Sequence, residues 1–373
     1  DMTGRVYDMA TGLFFAGAVT VLWQPLYLAD AGFLLSYGAI LGILTILPAI
    51  EKLFPCKYQI VKGMYASIGI NLMLFPVLLY FYFEFPLYSL LLNIAVIPMM
   101  SWVLGLGLIG SLFLPICQPI GMVLVKVCGI FLELFEWMSR FAGRLPGARM
   151  VFGQPAWWQI SAYYLFVFGS VILVLKCNKK ELFRFLRRSV WCVFPMILFW
   201  FSIGHGTGGK LFVTVIDVGQ GDGIYLCTSG GTSMFIDGGS TDVKQVGKYR
   251  ILPFLKAKGV SEISYWFVSH TDTDHVSGLK EVLVSGYRVE YLVFAKAVEK
   301  EAKTKELAEL ARSHGTKVFY MQAGDTVRSK RAAMRCLYPK AADKAEDVND
   351  LCLVLQFEEG DISALFGGDI STD

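Results

Sequence analysis

The chain has 373 residues, and 55% of them are hydrophobic, which excludes an ordinary water-soluble globular protein. Charge is divided unevenly, because residues 1–204 hold 14 Lys and Arg against 8 Asp and Glu, whereas residues 205–373 hold 20 against 23. The two halves therefore predict a membrane domain over residues 1–204, a glycine-rich linker at 205–210 and a water-soluble domain over 211–373.

Neither the ends of the chain nor its cysteines indicate a cellular compartment. The chain begins with Asp1 rather than Met and stops at Asp373 directly after an apolar run, so we expect it to be part of a longer protein. The eight cysteines are scattered and form no Cys-x-x-Cys pair. We interpret all of them as small apolar side chains of the interior.

Seven apolar segments approach the length of ~20 residues that a helix needs to cross a bilayer. They are residues 9–28, 32–50, 63–83, 86–113, 120–138, 157–175 and 190–203. The last is short and needs a thinner bilayer or neighbouring helices. The fifth contains Lys126, Glu133 and Glu136, so we expect it to face a polar cavity or to lie along the membrane surface.

Basic residues between the segments predict how the chain is oriented, since short cytoplasmic loops are enriched in Lys and Arg. The segment 176–189 holds six of them, so we expect it in the cytoplasm. Counting back along the spans assigns Arg5, Lys52, Lys57 and Lys62 to the same side and Arg140, Arg144 and Arg149 to the other. The last span then places the water-soluble domain on the outer face of the membrane.

Polar residues and helix breakers interrupt several of the apolar segments. Gln24 precedes a proline, Asp30 lies between the first two spans, and Ser36 follows near the start of the second. Asn93 and Pro98 fall within the fourth. Broken helices at membrane depth are tolerated where they line a cavity or pack in a bundle. Any one of these residues could serve packing alone. Together, Gln24, Asp30, Ser36 and Asn93 favour a conduit over a simple anchor.

The run Gln-Pro-Leu-Tyr-Leu-Ala-Asp-Ala-Gly-Phe-Leu-Leu-Ser at residues 24–36 resembles the signature of the ComEC family of competence DNA-uptake proteins. That pattern is Asn-Pro followed by Asp-x-Gly-Phe-x-Leu-Ser, and Gln24 stands where Asn is usual. Asn93 to Pro98 is similar to the family's Asn-x-x-x-x-Pro. The resemblance implies a multi-pass protein of the bacterial cytoplasmic membrane that passes a single DNA strand inward. It also implies partner competence proteins, among them a DNA receptor and a cytoplasmic translocase ATPase.

The second domain alternates short apolar runs with helical segments. We predict strands at residues 211–216, 224–227, 233–236, 263–268, 291–294, 317–320, 332–337, 351–357 and 362–366, and helices at 246–258, 275–284 and 301–313. This order is typical of a two-sheet α/β sandwich covered by helices.

The highest density of imidazole and carboxylate side chains follows the strand at 263–268. There, residues 269–275 read Ser-His-Thr-Asp-Thr-Asp-His. Two imidazoles and two carboxylates within six residues are typical of a metal site. The alternative is an ordinary polar loop after a strand, but carboxylates this close repel one another unless a cation or solvent separates them.

The loop resembles the His-x-His-x-Asp-His signature of the metallo-β-lactamase superfamily. By that resemblance His270 and Asp272 would hold the first of two divalent ions, Asp274 and His275 would hold the second, and Asp369 would bridge them. Asp274, His275 and Asp369 would then also be catalytic. The resemblance implies an αββα sandwich, truncated here at its C-terminus, with a final ligand His beyond Asp373.

Several further residues are assigned to the neighbourhood of the site. Asp237 would support the loop, and Asn349 falls about where other members place a third ligand of the first metal. The variant with Asp272 in place of His is typical of the ComEC branch, as is Asp-Val-Gly-Gln-Gly-Asp at 217–222. The complete set of neighbouring residues is Asp217, Gln220, Asp222, Asp237 and Asn349.

The ligands and the family together imply a metal-dependent phosphodiesterase that degrades the DNA strand that does not enter. A carboxylate at Asp272 favours oxygen-preferring ions, so we expect manganese or zinc. Two alternatives stay open, a non-catalytic nucleic-acid binding or gating domain and a membrane hydrolase of a lipid or nucleotide phosphodiester. The net negative charge of the second half argues against a broad basic DNA surface, although Arg328 to Arg335 form a local basic segment.

Overall fold

The computed structural model describes residues 8–145, 147–176, 209–343 and 349–370. The chain divides into two compact units, residues 1–200 and residues 201–373. The basic segment after Lys176, the last predicted span at 190–203 and residues 205–208 of the predicted linker lie outside the described residues.

The described residues of the first unit are mainly helical. Its helices are α1 (Met9–Trp23), α2 (Ala31–Leu53), α3 (Gln59–Tyr82), α4 (Ser89–Phe113), α5 (Gln118–Gly143) and α6 (Trp157–Lys176). Four of them are long and apolar enough to cross a membrane: α2, α3, α6 and the Leu91–Phe113 part of α4. The prediction of a polytopic helical domain is therefore confirmed. Helices α2 and α3 approach so closely that a Cβ on Gly42 would lie 2.8 Å from the carbonyl oxygen of Gly69.

Two of the predicted spans differ from the structure. The segment at 9–28 is not one helix, because α1 ends at Trp23 and a separate 3₁₀ turn occupies Pro25–Ala29. Proline lacks the N–H that would continue the helix, and Asp30 then caps α2 by accepting a hydrogen bond from the Phe33 N–H at 2.8 Å. The predicted span at 120–138 lies within α5, which is not among the helices apolar enough to cross.

A small sheet in the first unit was not predicted. Strand β1 (Glu84–Pro86) pairs antiparallel with β2 (Arg149–Val151). Three-residue strands give no alternating pattern long enough to be detected in a sequence.

The second unit contains a six-stranded sheet. Its strands are β3 (Phe212–Val215), β4 (Gly223–Cys227), β5 (Ser233–Asp237), β6 (Glu262–Phe267), β7 (Arg288–Ala295) and β8 (Lys317–Met321), in that spatial order. Strands β3 to β5 are antiparallel, and β5 to β8 are parallel. The carboxyl ends of β5 and β6 therefore meet at one edge of the sheet.

A four-stranded antiparallel sheet follows, with the spatial order β12-β11-β10-β9. Its strands are β9 (Thr326–Ser329), β10 (Ala332–Tyr338), β11 (Val354–Glu359) and β12 (Ile362–Phe366). Strand β9 was not predicted, because Thr-Val-Arg-Ser contains a single apolar residue. Met234, Phe267 and Phe357 belong to one buried cluster that contains side chains of both sheets.

The helices of the second unit are α7 (Leu252–Ala257), α8 (Thr273–Val284) and α9 (Ala302–Ser313). All three contribute to a second buried cluster, centred on Trp266 and Phe235 of the six-stranded sheet. The predicted helix at 246–258 is divided, since a π-helical turn at Gly247–Ile251 precedes α7. The α/β sandwich is confirmed, and the described residues show its helical layer on the six-stranded sheet.

Candidate metal centre

Asp237, the last residue of β5, anchors the loop that follows β6. Its Oδ1 accepts a hydrogen bond from the Ser269 N–H at 2.7 Å, and its backbone carbonyl accepts one from Trp266 Nε1 at 2.6 Å. Its other oxygen, Oδ2, lies 3.1 Å from His275 Nδ1. Asp237 is 1% exposed and has φ = 58°, a left-handed conformation that only a few per cent of non-glycine residues adopt. The buried carboxylate of Asp237, carried by a strained backbone, thus fixes both the loop and the ring of His275.

The loop is also held by a very close backbone contact. A Cβ on Gly239 would lie 2.4 Å from the carbonyl carbon of Asp274 and 2.5 Å from the His275 N. Only glycine permits this approach. Since the Asp222 N–H donates to the Asp274 carbonyl at 3.3 Å, the turn after β3 is joined to the start of α8 as well.

Four acidic and imidazole side chains converge on His275. Its Nε2 lies 3.3 Å from Asp369 Oδ2 and 3.9 Å from Asp274 Oδ2. Two sets of ligand atoms each fall within 4.8 Å of one another, and they share His275. The sets are His270, Asp274 and His275, and Asp222, His275 and Asp369.

This donor set fits divalent cations. Three carboxylates approach one imidazole whose other nitrogen is already held by Asp237, and like charges at this spacing repel unless a cation lies between them. The rings of His270 and His275 have their centroids 3.9 Å apart, and each ring contributes a nitrogen to the first ligand set. Oxygen and imidazole ligands suit manganese, iron and zinc alike.

Asp272 lies at the edge of this arrangement. Its Oδ2 is 4.0 Å from His270 Nε2, and its Oδ1 accepts a hydrogen bond from Lys303 Nζ at 2.8 Å. The Lys303 contact lowers the pKa of Asp272. Asp272 belongs to neither of the two ligand sets, so its role as a ligand of the first metal stays a prediction.

The other residues that were predicted to lie near the site differ in their positions. Asp222 joins the second ligand set, whereas the side chain of Asp217 is 84% exposed and forms an ion pair with Arg250 at 2.6 Å. The backbone N–H of Gln220 donates to Asp242 Oδ1 at 2.9 Å. Asn349 begins a 3₁₀ turn, Asn349–Leu351, just before β11. Asp217 belongs to neither ligand set, and its position near the site stays a prediction.

Burial and charge move the pKa values of the site in different directions. Burial lowers the pKa of His275, but Asp237, Asp369 and Asp274 outweigh it and raise the pKa to about 9. Burial and the neighbouring His275 lower the pKa of His270. Burial, followed by the charge of Asp237, raises the pKa of Asp222. In the absence of a metal, His275 is therefore the imidazole that carries the positive charge.

Two contacts of the site were not predicted from the sequence. Cys352 is fully buried, and its Sγ lies 3.4 Å from His270 Nδ1, although all cysteines were interpreted as apolar fillers. Lys303, near the start of α9, holds Asp272. The sequence offers one signal for Cys352. It lies three residues after Asn349, in the segment where other members of the family place a third ligand of the first metal.

The candidate conduit residues lie in the first unit. Gln24 and Asp30 flank the 3₁₀ turn, and Ser36 is exposed in the second turn of α2. Asn93 lies in the first half of α4, five residues before Pro98.

Comparisons with known proteins agree with these observations. The family described as Competence protein matches residues 1–177. ComE operon protein 3 of Bacillus subtilis is 24% identical over 98% of this chain and 47% of that protein. Competence protein ComA of Neisseria gonorrhoeae is 30% identical over 75% of this chain and 37% of that protein. The chain thus spans less than half the length of these curated relatives.

Two solved structures are similar to part of the chain, both with low TM-scores. The metallo-β-lactamase fold protein YhfI from Bacillus subtilis has a TM-score of 0.29 at 11% identity, covering 40% of this chain and 55% of that one. CmlA, a diiron β-hydroxylase from Streptomyces venezuelae, has a TM-score of 0.28 at 16% identity, covering 42% and 30%.

The competence match covers the apolar helices, and the first curated relative extends the similarity through the α/β sandwich that carries the His-x-Asp-x-Asp-His loop. These similarities support the ComEC family of competence proteins as the family of this chain.

Proposed function

We propose that this protein takes part in DNA uptake during bacterial transformation, with its first unit in the cytoplasmic membrane. Four helices apolar enough to span a bilayer and the match to the Competence protein family support this role. The proposed conduit passes one DNA strand, and other competence proteins would deliver and draw in the DNA.

The second unit would hydrolyse phosphodiesters, and one observation carries this part of the proposal. The carboxylates of Asp222, Asp274 and Asp369 converge on His275, beside His270. We assign His270, Asp272, Asp274, His275 and Asp369 to two divalent ions, with Asp222 as an additional donor. Such ions lower the pKa of a bound water and neutralise the charge of a phosphodiester.

The protein's own residues define the remaining chemistry. Asp237 accepts from His275 Nδ1 and so directs Nε2 at the ligand region. Asp274 lies in the first turn of α8, where its carboxylate can accept a proton from an attacking water. Lys303, next to Asp272, is 67% exposed and offers a cation to a phosphate oxygen.

The experiment that tests this activity is cleavage of single- and double-stranded DNA by the full-length protein, purified in detergent and loaded with manganese or zinc. We expect hydrolysis, with manganese at least as effective as zinc. If neither ion supports cleavage, tight DNA binding would favour a non-catalytic module. Release of a lipid or nucleotide product in place of DNA fragments would favour the membrane hydrolase.

The second unit is expected on the outer face of the membrane, because the basic segment 176–189 favours the cytoplasm. Thr241 is an exposed residue of the second unit. Thr241→Cys should therefore react with an impermeant thiol reagent in intact cells. Lys57→Cys, on the side predicted to be cytoplasmic, is the matched control and should react only after lysis. The reverse pattern would place the second unit inside.

Asp30 and Asn93 are expected to line the route of the DNA. Asp30→Leu and Asn93→Leu in the full-length protein should reduce entry of labelled DNA by about tenfold or more, since both remove polar groups from an apolar surrounding. Ser111→Leu is the matched control, because the exposed Ser111 hydroxyl is already bonded within α4 to the Gly107 carbonyl. Asp30→Asn keeps an acceptor for the cap of α2 and separates loss of the conduit from loss of the helix end. Normal entry in the two leucine variants would contradict a conduit lined by these residues.

A further inference from the structure

Cys352 joins separate parts of the candidate metal centre. It lies directly before β11, is fully buried, and has its Sγ 3.4 Å from His270 Nδ1. The turn that carries Asp369 lies close to Cys352 as well, since a Cβ on Gly368 would lie 3.4 Å from the Cβ of Cys352. The next residue, Leu353, donates its N–H to the Ser269 carbonyl at 2.8 Å, so the backbone that carries Cys352 is tied to the loop.

The surroundings of the two histidines are closely comparable. His275 has Nδ1 against Asp237 and Nε2 toward Asp369. His270 has Nδ1 against the sulfur of Cys352 and the hydroxyl of Ser269 at 3.1 Å, and Nε2 toward Asp272. A metal-binding imidazole nearly always has such a partner on its second nitrogen, which fixes the ring and the tautomer.

We propose that Cys352 is a positioning residue for His270, holding its Nδ1 so that the Nε2 lone pair faces the metal. In this arrangement the sulfur accepts the Nδ1–H of His270. The inference rests on the proposed metal centre and adds a residue that supports its first site without touching the ion.

A different role for the thiol, as a thiolate ligand, fits the structure less well. Cys352 contacts the nitrogen of His270 that faces away from Asp272, so an ion on Nε2 would lie on the other side of the ring.

The test is cobalt binding by the full-length protein in detergent, followed by titration and by absorption spectra. We expect Cys352→Ala to weaken the first site by about 10- to 100-fold, the range observed when a supporting partner of a metal ligand is lost. Cys352→Ser, whose hydroxyl can accept the same hydrogen bond, should stay within about threefold of the parent. Cys336→Ala is the matched control, since Cys336 is equally buried but lies among the apolar side chains between the sheets. It should leave the affinity unchanged.

Three outcomes would overturn the inference. Unchanged cobalt affinity in a folded Cys352→Ala protein, or an equal loss in Cys336→Ala, would show that the thiol has no specific effect on the site. An intense sulfur-to-cobalt charge-transfer band in the parent, absent from Cys352→Ala, would make Cys352 a ligand. A parent protein that binds no cobalt would overturn the metal centre itself, so the two failures are distinguishable.

Discussion

Asp274→Ala is expected to lower DNA cleavage by the metal-loaded, full-length protein by about a thousandfold or more, while the second unit stays folded. The carboxylate of Asp274 is 28% exposed and faces His275 Nε2 at 3.9 Å. The contacts that hold the loop involve the backbone of Asp274, namely its carbonyl with the Asp222 N–H and its close approach to Gly239. Alanine keeps that backbone. The variant therefore removes a metal-binding oxygen and a proton acceptor, but no side chain of the packed interior.

Asp217→Ala provides the matched control for this result. Asp217 is another carboxylate next to the glycine-rich turn, but it is exposed and paired with Arg250. Its replacement should leave the cleavage rate within about twofold of the parent, as expected for a surface ion pair. Cleavage that survives Asp274→Ala would contradict the proposed site. DNA binding that is tight, without hydrolysis and insensitive to Asp274→Ala, would support the non-catalytic module.

Asp237→Ala is expected to have the largest effect on stability. It would leave His275, 2% exposed and charged in the metal-free protein, without its principal partner, and it would force alanine into a left-handed conformation. Breaking a buried ion pair in this way costs about 3–5 kcal/mol. For a domain of this size that corresponds to a fall of about 10 °C in the thermal midpoint, measured on the metal-free protein.

Asp237→Asn separates the causes of that loss. Asparagine tolerates the left-handed region and can still accept from the Ser269 N–H, but it carries no charge to pair with His275. Its midpoint should lie between those of the parent and of Asp237→Ala. If Asp237→Ala melts at the same temperature as the parent, the anchoring role of this carboxylate is wrong.

The predictions from sequence succeeded where the pattern is long or chemically dense. Apolar runs of some twenty residues predicted α2, α3, α4 and α6, and alternating apolar strands predicted most of the sandwich. The predictions missed β1 and β2, whose three-residue strands pair across more than sixty residues of sequence. They also missed β9, because its four residues contain a single apolar side chain and give no alternating pattern. The break at Pro25 was visible as a helix breaker, but its 3₁₀ turn depends on local geometry.

The residues of the candidate site also divide into those that could be predicted from the sequence and those that could not. A single loop supplies His270, Asp274 and His275, so their proximity could be predicted from adjacency alone. Asp222 and Asp369 come from other elements, and only the motif resemblance indicated Asp369. Cys352 and Lys303 could not be found in this way, since an isolated cysteine or lysine has no pattern and its contact depends on how distant segments pack.

The hydrogen bond between the Leu353 N–H and the Ser269 carbonyl has a consequence for the order of events during folding. The ligand region is built from segments that begin at Asp222 and end at Asp369, so nearly all of the second unit must be synthesised before the donors can meet. Contacts this distant in sequence form slowly, because the chain entropy of a long loop is lost first. Before Asp369 is synthesised, the nascent chain can offer cellular metals only the local donors His270, Asp274 and His275, together with Asp222. We therefore expect tight metal binding only after the two sheets have docked, so that metal binding and the folding of the second unit are coupled.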